Sequence, residues 1–138
     1  MKSYEYINHT ADIGMRAYGR SLRELVQHAG EGFINLITDR EKIGESLEEH
    51  IVVSAVSIED LIIEWLNELN YLFEVKTLLF KRFLIDITAD TALDACCRGE
   101  RYDPDRHEIK TLIKAVTYHK LKVEKRGSVW EACIIFDI

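Results

Sequence analysis

Two serine-capped apolar stripes, set among runs of alternating residues, constrain this chain more than any other feature. Ser21-Leu22-Arg23-Glu24 is a capping box: the serine hydroxyl takes an orphan amide of the first turn and the glutamate reaches back. Leu22, Leu25, Val26, Ala29, Phe33 and Leu36 follow at helical spacing, which predicts a helix over about residues 22–37. Ser57-Ile58-Glu59-Asp60 caps a second helix, again with a carboxylate at its fourth position. Its stripe of Ile58, Leu61, Ile62, Trp65, Leu66, Leu69, Leu72 and Phe73 is broad and must face a core. Glu59, Glu64, Glu68 and Glu74 lie mainly off it, on a solvated face. Gly30 and Gly32 each cost a helix interior on the order of 1 kcal/mol. Close packing against a sheet or a partner would account for them, and so would weak sequence constraint.

Around these helices the period is two. Residues 4–9 and 13–19 read as short strands, 39–46 as a polar loop and 47–56 as a strand centred on Ile51-Val52-Val53. Further strands are expected over 79–88, 91–101, 115–124 and 129–137. A turn lies near Thr88-Ala89-Asp90, a loop over Tyr102 to His107, and a tight hairpin at Lys125-Arg126-Gly127-Ser128. The order β-β-α-β-α followed by about four strands predicts an α+β fold in a single domain over residues 1–138, with two helices on a mixed, mostly antiparallel sheet. The sequence strand-helix-strand-strand can be drawn twice, although the two copies share no evident residues.

Composition narrows the function classes. A formal net charge of −6 argues against a domain that binds by neutralising phosphates. Three cysteines, Cys96, Cys97 and Cys133, form no C-x-x-C pair, so neither a disulfide framework nor a zinc knuckle is indicated. Buried thiols in a reducing cytoplasm are expected. The region Ile51 to Phe73 is interrupted by Glu59, Asp60, Glu64 and Glu68, which rules out a membrane span. Met1-Lys2-Ser3-Tyr4-Glu5 opens no signal peptide.

Three segments carry candidate chemistry. Asn8-His9-Thr10-Ala11-Asp12-Ile13-Gly14 is a polar knot between two strands. Most such knots are only turns, but His9 and Asp12 exceed what a turn needs. Lys114-Ala115-Val116-Thr117-Tyr118-His119 lies at the start of a late strand, where strand alternation puts Thr117 and His119 on one face with Ala115 and Leu121. His119 there is either a half-buried structural histidine or a site residue. Finally, Phe136-Asp137-Ile138 brings a side-chain carboxylate and the terminal carboxylate together. If that end meets Asp12, three carboxylates share one place; if it does not, Asp137 is a solvated chain end. Packed acids repel unless a cation intervenes, and all-oxygen ligation favours Ca²⁺, Mg²⁺ or Mn²⁺ over zinc.

The blocks Tyr4-Glu5-Tyr6-Ile7-Asn8-His9-Thr10-Ala11-Asp12-Ile13-Gly14 and Lys114-Ala115-Val116-Thr117-Tyr118-His119, with the terminal Phe136-Asp137-Ile138, resemble the archease family over the whole chain. The resemblance implies a fold of strand-helix-strand-strand modules, one set within another. It also implies a role as a protein cofactor rather than an enzyme. Such a cofactor activates the RtcB-type RNA ligase of tRNA splicing, promoting its guanylylation and multiple turnover and broadening its nucleotide use. Contact with tRNA would be only through the ligase, and no membrane is involved. The family's divalent-metal site, expected to hold calcium, carries over to Asp12, Asp137 and the Ile138 carboxylate. Lys114 matches a position needed for activation, and His9 and His119 match the motifs. Two readings from other classes stay open: a stand-alone metal-dependent phosphoester hydrolase with His9 or His119 as base, and an RNA-binding or chaperone module.

Overall fold

In a computed structural model describing residues 2–8 and 10–138, two sheets enclose two helices. The first sheet contains β1 (Tyr4–Asn8), β2 (Asp12–Gly19), β6 (Ala115–Arg126) and β7 (Val129–Asp137) in the order β1-β2-β7-β6. The second contains β3 (Leu47–Ser54), β4 (Leu78–Ala89) and β5 (Ala92–Arg101) in the order β3-β5-β4. All of these pairings are antiparallel. The α+β fold with two helices on mostly antiparallel sheet is the one expected from the sequence, with the strands divided between two sheets. Helices α1 (Leu22–Ile37) and α2 (Ile58–Lys76) lie between them.

The topology resolves the repeated pattern. An outer strand-helix-strand-strand module, β2-α1-β6-β7, is interrupted after its helix by an inner one, β3-α2-β4-β5. In each module the first strand pairs with the last, giving β2-β7-β6 and β3-β5-β4. The insertion has a direct consequence: β2 and β7, from near opposite ends of the chain, become neighbours.

Both predicted caps form. The Ser21 hydroxyl accepts from the Glu24 amide at 3.1 Å, and Glu24 Oε1 accepts from the Arg20 amide at 3.1 Å. Ser57 accepts from the Asp60 amide at 3.1 Å. α2 ends at Thr77, whose φ of 57° closes it in the left-handed conformation usual for a helix stop. The helix glycines are packing positions. A Cβ on Gly30 would lie 3.1 Å from Phe83 and Trp65, and one on Gly32 would lie 2.6 Å from Met15 Sδ and 2.9 Å from Tyr4 Cγ. Trp65 is fully buried, donates to the Val26 carbonyl at 3.0 Å and meets Phe83 edge-on with centroids 5.3 Å apart. Cys97 belongs to this core while Cys96, its neighbour on β5, faces outward. Burial pushes the Cys97 thiol well above its ordinary range. Among the described residues, no helix is long and apolar enough to cross a membrane.

A pegged segment runs from β5 to β6. Glu100 anchors its start, accepting from the Gly44 amide and from His107 Nε2, and pairing with Arg106. His107 Nδ1 accepts the Asp103 amide, so Nε2 carries the proton that reaches Glu100. Lys110 N–H then donates to the Ile37 carbonyl at 2.7 Å, and Asn70 Nδ2 donates to the Ile113 carbonyl at 3.2 Å. Its last residue, Lys114, is delivered to the end of β7.

Candidate functional site

Strand register assembles the site. Asp12 is the direct antiparallel partner of Asp137, and Asp137 is the partner of Ala115 on its other side. Lys114 N–H donates to the Asp137 carbonyl at 2.8 Å. Paired residues project to the same face, so the Asp12 and Asp137 carboxylates share the uncovered face of the first sheet. Asp12 was expected in the turn; it is instead the first residue of β2. That placement fixes its side-chain direction in a way a turn would not.

Two like charges directly opposite on a sheet are destabilising, and among the described residues no side-chain hydrogen bond to either carboxylate offsets it. Asp12 Oδ1 is buried and has no hydrogen-bond partner among the described residues. A buried carboxylate oxygen in that position is an acceptor suited to a hard cation. Among the described residues, no three His, Cys, Asp or Glu side chains stand close enough to hold a metal ion. The side chains therefore supply two carboxylates, and any further oxygen donor must come from elsewhere, such as the chain terminus. Ile138 packs its side chain against the core and lines a separate recess with Tyr6, Asn8, Ile13 and Lys110.

His119 reaches the same neighbourhood by a route that strand alternation conceals. Thr117 pairs with Ile135 and Lys122 with Cys133, so residues 118–121 of β6 stand opposite Ile134 alone. This wide bulge carries Lys120 at φ 54°, and its first end is fixed. Thr117 Oγ1 donates to the Ile135 carbonyl at 3.1 Å, and Tyr118 Oη donates to Asp60 Oδ1 at 2.8 Å. The three extra residues invert the face pattern: Val116 is buried before the bulge, whereas Leu121, its last residue, and Val123 beyond it pack on the core. The expected shared face of Ala115, Thr117, His119 and Leu121 is thus broken. His119 and Lys120 instead overhang a recess of about 290 Å³ with Thr10, Ala11, Asp12 and Ile135. Lys120 at this recess was missed from the sequence, because no residue type announces a bulge of this size. His9 lies outside the described residues.

The corner therefore holds two facing carboxylates, one with a buried oxygen that lacks a partner among the described residues, beside an exposed imidazole and an exposed ammonium, and the exposed Lys114 is tied to it through the main-chain bond to Asp137. Such a set can bind a hard cation and meet phosphate oxygens with Lys114 and Lys120.

Comparisons with known proteins converge. A model of the Archease protein family (MTH1598/TM1083) matches residues 4–138. The protein archease of Methanosarcina mazei is 38% identical over 99% of this chain and 97% of its own. The solution structure of Methanobacterium thermoautotrophicum protein 1598 superposes with a TM-score of 0.81 at 27% identity, covering 100% of both chains. The crystal structure of an archease, possible chaperone, from Thermotoga maritima gives a TM-score of 0.69 at 28% identity, over 96% of this chain and 94% of that one.

Proposed function

This chain belongs to the archease family, and on that premise we propose that it is a protein cofactor of the RtcB-type RNA ligase. In this reading it promotes ligase guanylylation and multiple turnover in tRNA splicing, and broadens nucleotide use. The observation that carries the proposal is the pairing of Asp12 with Asp137, with Lys114 bonded to the same residue. The fold brings these residues to one exposed corner, where they contribute nothing evident to packing.

Asp12, Asp137 and the Ile138 carboxylate would hold a divalent cation, calcium foremost among the hard ions that suit oxygen donors. That ion would supply positive charge to nucleotide phosphates. The chain's own residues do the rest. The sheet register holds the two carboxylates at a fixed spacing. The pegged segment presents Lys114 toward a phosphate or a ligase carboxylate. The bulge places His119 and Lys120 beside Asp12. Phosphoryl transfer depends chiefly on positioning and charge neutralisation, so a rigid corner entering the ligase active site is a sufficient means of activation.

The test is guanylylation of the cognate ligase with GTP, at limiting ligase, with and without this protein. Wild type is expected to raise the rate and permit repeated turnover, and Asp12→Ala, Asp137→Ala and Lys114→Ala to abolish the effect while remaining folded. Full stimulation by either aspartate variant would refute the proposed site. Phosphoester hydrolysis by the purified protein alone would favour the hydrolase reading instead.

A further inference from the structure

β3 is an outer strand whose second half lacks the usual protection. Edge strands normally carry bulges, lysines or prolines that deter another chain from pairing with them. β6 has its bulge and four lysines or arginines, and β4 has two register irregularities. β3 pairs with β5 without interruption, and its segment Ile51-Val52-Val53-Ser54 contains no charge and no proline. Among the described residues, the backbone of Glu48–Ser54 has no hydrogen-bond partner beyond β5.

A helix stripe runs beside this edge. Glu64, Asn67, Glu68 and Tyr71, spaced i, i+3, i+4 and i+7 on α2, share a groove of about 450 Å³ with Val52, Val53 and Ser54. Two of its apolar contributors are open, Val52 at 69% exposed and Tyr71 at 48%, with Val75 one turn further at 62%, while Val53 is buried in the core. Both charged residues lining it are glutamates. A free strand edge beside an exposed helix stripe is the arrangement in which an extended peptide adds a strand and sets alternate side chains against the helix.

We propose that this groove takes an extended segment of another protein, alternating basic and apolar residues, as an added strand beside Ile51–Ser54. The main chain of the segment bonds to β3. Its basic side chains meet Glu64 and Glu68 on α2, and its apolar ones, on the opposite face of the added strand, lie beside Val52. The groove shares no residue with the acidic corner, so the proposal does not depend on the ligase reading.

The experiment uses the full chain and a fluorescein-labelled, end-capped peptide alternating lysine and valine, followed by anisotropy and by hydrogen exchange. Binding is expected, with added protection of the β3 amides. Glu64→Lys combined with Glu68→Lys should weaken it at least about fivefold, the effect of two partly screened ion pairs. Of two peptides N-methylated at every lysine or at every valine, only one should lose binding, because successive amides point to opposite edges of a strand. Three outcomes overturn the proposal: no binding at millimolar peptide, equal binding of a glutamate–valine peptide, or an equal effect of both methylation patterns. Self-association that the double lysine variant abolishes would assign the groove to a second copy and overturn it too.

Discussion

Asp137→Asn separates the like-charge account of the corner from a merely structural one. Asp12 and Asp137 are direct strand partners, which sets their side-chain carbons about 5 Å apart. Two unit charges at that spacing repel by about 0.8 kcal/mol at the dielectric of water and about 3 kcal/mol at an effective value of 20. Asp137 is exposed and Asp12 half-buried, so the lower end applies, about 1 kcal/mol. For a 138-residue chain, whose unfolding entropy is roughly 0.29 kcal/mol/K, that is a rise in Tm of about 3 °C. The variant should therefore be more stable than wild type in chelator. In saturating calcium the order should reverse. A ligand at a hundredfold its Kd stabilises by about 2.7 kcal/mol, or about 9 °C here, and the variant should lose most of that gain. Differential scanning calorimetry in chelator and in calcium reads both effects. A variant less stable in chelator and equally shifted by calcium would refute the reasoning.

Lys114→Ala should leave Tm within about 1 °C, since its side chain is exposed and the main-chain bond to Asp137 survives, yet reduce ligase stimulation at least about tenfold in the guanylylation assay. Gly32→Ala should destabilise by about 1–3 kcal/mol in urea denaturation, despite alanine's better helix propensity, because the added carbon would lie 2.6 Å from Met15 Sδ. Burial alone would raise the Glu100 carboxyl, but the Gly44 amide, His107 and Arg106 together hold it below its ordinary 4.5. A depressed folded value stabilises above 4.5 and loses that contribution as pH falls through the folded value. Amides of Lys110 and Lys114 should therefore lose exchange protection first on acidification below about pH 4.5, and Glu100→Gln should remove that pH dependence.

Local rules carried the elements of this fold. The serine caps, the helical stripes, the change of period at Leu78 and the Gly127 hairpin each depend on residues a few positions apart, and each appears where the spacing put it. The nested modules were legible only as an order of elements, because strand pairing between β2 and β7 joins residues more than a hundred positions apart. The glycines show the same limit. Gly30 and Gly32 looked costly in sequence, and only the approach of Trp65, Phe83 and Met15 explains them.

The candidate site divides along that line. The sequence by itself supplied the residue types: two aspartates and a terminal carboxylate, a lysine and two histidines, in blocks specific enough to name a family. Tertiary structure decided their geometry. It moved Asp12 from a turn into a strand, set it opposite Asp137, and left one of its oxygens buried without a partner among the described residues. It also turned His119 and Lys120 over the recess through a bulge that alternation could not anticipate. The reason is physical. Caps and periods are energies of near neighbours along the chain, whereas register and bulges are settled only when distant strands compete for the same core.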